Sequence, residues 1–91
     1  MIKNFDLQKA VDENLASWSQ KEIKMTLAKG RNKGRYGWFD PKICSQQQLE
    51  KECEDHIEKF KNSNDPGQLV DAAVFLLMKA WLLKSTTLKD D

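Results

Sequence analysis

Val70-Asp71-Ala72-Ala73-Val74-Phe75-Leu76-Leu77-Met78-Lys79-Ala80-Trp81-Leu82-Leu83 carries only two charges, Asp71 and Lys79, so a helix over this stretch is apolar on nearly every side. Such a helix must be covered by other helices or by another chain. Asp65-Pro66 starts it: an aspartate suits the N-cap, and a proline at the first helical position loses nothing by lacking an amide proton. Upstream, Asn62-Ser63-Asn64 reads as a turn. Before that turn, Ser45-Gln46-Gln47-Gln48 is a capping box, with Cys44 and Leu49 at the staple positions and Leu49, Cys53, Ile57 and Phe60 forming an apolar stripe that predicts a helix to about Lys61.

Nearer the N-terminus, Leu7, Val11, Leu15 and Trp18 fall at spacings of three and four and predict a first helix opening at Asn4. Ser19-Gln20-Lys21-Glu22 is a second capping box, stapled by Trp18 and Ile23, and predicts a separate helix from Gln20 to Lys29 with Gly30 as its left-handed cap. The expected fold is therefore all-α: a compact bundle of about four helices with a long basic-aromatic loop between helices 2 and 3. Residues 1–84 form a single helical domain, and residues 85–91 read as a frayed C-terminal tail. Because three short helices are few to surround the apolar one, homo-oligomerisation through Val70 to Leu83 is expected.

Composition fits one domain: 91 residues, 40% apolar, 32% charged, with a formal net charge of +1. A near-neutral total disfavours a protein that coats nucleic acid non-specifically, so any electrostatic partner must be recognised locally. The first residues lack the apolar core of a signal peptide, and no stretch reaches the roughly 18 uncharged apolar residues of a membrane span. A cytoplasmic protein with no membrane partner is expected. Cys44 and Cys53 lack the short spacing of metal knuckles or redox pairs and are read as free thiols.

Gly30-Arg31-Asn32-Lys33-Gly34-Arg35-Tyr36-Gly37-Trp38-Phe39-Asp40-Pro41-Lys42-Ile43-Cys44 is too rich in costly side chains for a plain connector. Residues 21 to 42 hold seven Lys or Arg against Glu22 and Asp40, whereas residues 43 to 65 hold three Lys against six acids. Arg31 and Arg35 can grip an anion bidentately, Lys29 and Lys33 widen the positive field, and Tyr36 and Trp38 can stack on a base. This makes Lys29, Arg31, Lys33, Arg35, Tyr36 and Trp38 the candidate ligand-binding set, for a nucleotide, a nucleic acid or an acidic protein surface. The competing reading has Trp38 and Phe39 plug the loop onto the core, leaving the cations solvated.

Leu27-Ala28-Lys29-Gly30-Arg31, Gly34-Arg35, Gly37-Trp38, Asp40-Pro41 and Cys44, followed by Leu49, His56, Asp65-Pro66 and Val70-Asp71-Ala72-Ala73, resemble a family of small uncharacterised phage and prophage proteins. The resemblance covers residues 27 to 80; Gly67-Gln68-Leu69 lengthens the segment between Asp-Pro and Val-Asp relative to the family pattern. It implies a virus-encoded accessory protein acting in the cytoplasm of an infected bacterial host, a class that often disables a host factor or a defence signal.

Glu50, Glu54 and Asp71 supply an alternative. Carboxylates on adjacent helices hold magnesium against a triphosphate in MazG-type all-α nucleotide pyrophosphohydrolases, which this acidic stretch faintly resembles. Those enzymes carry Glu-x-x-Asp where this chain has Gln68 three residues before Asp71, so the ligand set is reduced and the chain reads as a binding protein without a resident cofactor. Magnesium enters only under the enzyme reading. Glu52 with His56, or Cys53 with His56, share a helix face, but two ligands make no zinc site. A third reading makes the apolar helix a docking surface for a host helix.

Overall fold

The structure is a computed structural model that describes residues 4–89, with the side chains of residues 4–85. It is all-helical, with three helices and no strand among the described residues: α1 (Asn4–Asn32), α2 (Gln46–Ser63) and α3 (Pro66–Lys89).

The first two expected helices are one. Ser19 to Glu22 lies inside the 29-residue α1, and no cap forms there. A capping box offers amides an alternative partner only where the helix actually breaks, and nothing between Asn4 and Lys29 breaks it: the segment has neither Gly nor Pro. Continuing the helix pairs the same amides through the backbone. Gly30 is likewise inside α1, and the cap falls four residues later. Gly34, at φ +78°, is the left-handed residue; its N–H donates to the Arg31 carbonyl at 2.9 Å, and the Arg35 N–H donates to the Gly30 carbonyl at 2.9 Å. This pair of bonds is a Schellman motif.

The other boundaries follow the expected chemistry. Ser45 caps α2, its Oγ accepting from the Gln48 N–H at 3.0 Å. The Gln48 side chain reaches forward to Glu52 at 2.9 Å instead of back to the cap, so only half the box forms. Asn64, at φ 58°, closes α2 by donating its N–H to the Phe60 carbonyl. Asp65 then caps α3, accepting from the Gly67 N–H at 2.9 Å. α3 runs on through residues 85–89, past the boundary expected at residue 84.

α2 and α3 form an antiparallel hairpin, which holds the buried side chains: Leu49 and Cys53 from α2, Ala72 and Val74 from α3. Asp71 and Lys79 of α3 turn toward α2. Lys79 forms an ion pair with Glu50, and Asp71 stands 3.8 Å from His56. His56 also stacks on Phe75, and its Nδ1 is hydrogen-bonded to the Gln68 side-chain amide at 2.7 Å.

α1 packs on α3 and not on α2, and none of its residues is buried. Contact is confined to its C-terminal half, where Ile23 and Leu27 are partly covered; every residue from Asn4 to Trp18 is exposed. The expected compactness is therefore not found. The radius of gyration is 16.1 Å, against about 12 Å for a compact chain of this length. α3 also remains largely uncovered: Pro66–Ser85 is long and apolar enough to cross a membrane by length and composition, and 11% of it is buried.

The two helix-end glycines should respond oppositely to alanine. Gly30 has open space around a Cβ and a helical neighbourhood, so Gly30→Ala stabilises by about 0.5–1 kcal/mol, whereas Gly34→Ala, forced to positive φ, destabilises by about 1 kcal/mol. Urea denaturation of both variants checks the pair; if Gly30→Ala is the destabilising one, the helix ends at Gly30 as the sequence alone suggested.

Candidate functional site

The segment between α1 and α2, residues 33–45, is built from two turns and one aromatic anchor. After the Schellman cap, Gly37 at φ +85° redirects the chain, and it is buried so closely against Ile43 that an added Cβ would meet the Ile43 Cδ1 at 2.7 Å. Asp40 then organises the approach to α2. Its carboxylate accepts from the Lys42 N–H at 2.9 Å, and its carbonyl accepts from the amides of Ile43 and Cys44 at 2.9 Å each.

Trp38 is the anchor. It meets Trp81 of α3 edge-on at 5.7 Å between ring centres and Phe39 at 6.0 Å. Such edge-to-face pairs contribute about 0.5–1.5 kcal/mol beyond the apolar area they cover. Trp38 thereby lines an apolar groove of about 490 Å³ with Ile23 and Leu27 of α1 and Val74, Leu77, Met78 and Trp81 of α3. Beyond Phe39 and Trp81, a more polar recess is lined by Pro41, Cys44, Gln46, Leu82 and Ser85.

The six candidate ligand-binding residues therefore separate. Trp38 turns inward, onto α3. Lys29 and Arg31 lie on the last turn of α1, Lys33, Arg35 and Tyr36 follow it, and all five side chains are exposed. None lines either concavity, and none makes an ion pair or side-chain hydrogen bond among the described residues. Lys29 and Arg31 complement the negative end of the helix dipole, a contribution of about 0.3–1 kcal/mol at an exposed site. The cations thus form an outward-facing cluster around the end of α1, not the lining of a pocket.

Glu50, Glu54 and Asp71 are not gathered into a ligand set. Glu50 is engaged by Lys79, Asp71 faces His56, and no three His, Cys, Asp or Glu side chains converge among the described residues.

Trp81, Leu77 and Met78 are the groove residues that sequence reading did not single out. Their signal was faint, because an apolar side chain on an apolar helix looks the same whether it meets the core, a loop or water. Comparison with known proteins adds nothing to the geometry: no protein-family model, curated protein or solved structure matches the chain.

Burial, and then the Glu52 carboxylate, push the Cys44 thiol above its ordinary pKa; burial, and then Glu54, do the same for Cys53. A raised thiol pKa leaves less reactive thiolate at neutral pH. Alkylation at pH 7 should be slower at Cys44 than at an unstructured cysteine and should require unfolding at Cys53, which is 4% exposed. The unfolded chain releases these protons first, so stability falls as pH rises through the thiol range. Mass spectrometry of a timed iodoacetamide reaction reads the first effect, and rapid labelling of Cys53 in the folded protein would contradict it.

Proposed function

We propose that the chain is a non-enzymatic helical binding protein, of the accessory kind that phages encode, and that it engages an acidic surface on a partner protein through Lys29, Arg31, Lys33, Arg35 and Tyr36. The observation that carries this reading is their common exposure around one fixed helix end. Four cations project from α1 and the turn beyond it without a carboxylate partner, and the Schellman cap and the Trp38 anchor hold the backbone on both sides of them.

The form of the cluster selects among anions. A nucleotide bound tightly is normally enclosed by a concave site with a few converging polar groups. Here both concavities lie away from the cations, and the first is lined almost wholly by apolar side chains. A convex group of cations instead suits an extended acidic patch, where it contributes to encounter rate and register and weakens with salt. Trp38, committed to Trp81, is not available to stack on a base, which leaves Tyr36, 70% exposed, as the aromatic contact within the cluster.

Self-association belongs to the same proposal. Leu69, Ala73, Leu76 and Ala80 recur at spacings of four, three and four on the exposed side of α3, a heptad seam in which the alanines allow close approach of a second helix. α2 argues against burying this face in lipid, because Lys51, Glu54, Asp55 and Glu58 are exposed on the helix packed alongside it.

Calorimetry with an acidic peptide, a nucleoside triphosphate and a short single strand tests the ligand class. Binding to the peptide, lost at least tenfold in the Arg31→Ala, Arg35→Ala double variant and weakened by salt, is the expected result. Equal binding by both proteins removes the cluster from recognition. Leu76→Glu should reduce the oligomeric mass in light scattering, and an unchanged mass removes the α3 seam.

A further inference from the structure

α1 has two apolar faces. One, carrying Ile23 and Leu27, turns toward α3. The other carries Leu7, Val11, Leu15, Trp18 and Met25, all between 49% and 60% exposed, and runs nearly the full length of the helix. Val11, Trp18 and Met25 recur every seven residues, with Leu7 and Leu15 four residues to either side of Val11, so the five make one stripe on nearly the opposite side of the helix from Ile23 and Leu27.

This stripe includes a segment with no packing of its own. From Asn4 to Trp18 every residue of α1 is exposed, yet a helix of about that length is marginal in water unless an apolar face finds a partner. Charge indicates what that partner is. Residues 4 to 18 carry Asp6, Asp12 and Glu13 against Lys9, a balance of two negative charges; residues 19 to 32 carry Lys21, Lys24, Lys29 and Arg31 against Glu22, a balance of three positive charges. α1 is therefore complementary to a reversed copy of itself. Antiparallel alignment sets the acidic half of each helix along the basic half of the other and opposes their macrodipoles favourably.

We infer that the outward stripe of α1 is a homodimer interface in which two copies of α1 pack antiparallel about a two-fold axis near Leu15 to Trp18. Leu7 of one copy then lies opposite Met25 of the other, and Leu15 opposite Trp18. Each protruding arm is covered by the half of the partner's α1 that is anchored on α3. The interface is isologous and closed, so it forms a pair and not a filament. It is separate from the α3 seam and independent of the ligand of the basic cluster.

Analytical ultracentrifugation of the full chain up to about 0.1 mM, where an association of micromolar Kd is nearly complete, tests the pairing. The Leu15→Glu, Trp18→Glu double variant should halve the mass of the wild-type assembly while α2 and α3 stay folded, because neither side chain is buried within the chain; helicity by circular dichroism falls only by the loss from the arm. Direction is read by oxidative cross-linking in a Cys44→Ser background. A mixture of Leu7→Cys and Met25→Cys proteins should give the mixed disulfide at least tenfold more readily than either protein alone gives its own. A monomeric wild type, an unchanged mass in the double variant, or a Leu7→Cys protein that cross-links to itself more readily than to Met25→Cys, would each overturn the inference.

Discussion

Packing of α2 against α3 is the constraint on which the rest of the structure depends, because it supplies the buried apolar side chains found among the described residues. Leu49 and Cys53 of α2 and Ala72 and Val74 of α3 are the buried apolar side chains, and Leu49 is the one large side chain among the described residues that is fully buried. The same packing determines where Lys79 and Asp71 of α3 go: they are held toward α2 by Glu50 and His56, which leaves the opposite side of α3 apolar apart from Lys84. That side receives the Trp38 anchor and the C-terminal half of α1. A core this small stabilises a hairpin and little more, and it accounts for a molecule whose radius exceeds that of a compact chain.

Function follows from what this core leaves uncovered. α1 is fixed at one end, by Ile23 and Leu27 over the groove and by the turn that leads to Trp38, and it projects freely at the other. The fixed end presents the cations; the free end presents an apolar stripe. These are different chemistries, and the partners proposed for them differ accordingly: an acidic, salt-sensitive one for the cations and a second copy of the chain for the stripe. Joining them in one helix couples them mechanically: pairing of the arms would set the distance and orientation between two basic clusters, and a bivalent arrangement of that kind binds a repeated or symmetric acidic partner more tightly than either cluster alone.

The sequence made the helices legible and their ends only partly so. Ser45, Asn64 and Asp65 cap where their side-chain chemistry says they should, because each adjoins a segment that cannot continue as helix, whether for lack of apolar periodicity or because a proline follows. Ser19 has the same local chemistry and no break beside it, so the helix passes through. Gly30 was the expected end of α1, but the left-handed residue and the two bonds of the Schellman motif fall at Gly34. The basic cluster was visible as composition, and the competing reading already set Trp38 against the core with the cations solvated; what the sequence could not choose between was that packing and a Trp38 free to stack beside Tyr36, a choice made by the position of Trp81 on α3.

Hydrogen exchange measured residue by residue at low and high protein concentration tests the central claim most directly, since it separates the hairpin core from the surfaces that require a second chain. Amides of α2 and of α3 from Ala72 to Lys79 should exchange slowest at every concentration, and those from Leu7 to Trp18 should exchange fast when dilute and slow markedly as concentration rises. Uniform, concentration-independent protection along the whole of α1 would contradict it, because the arm would then be held by contacts within its own chain.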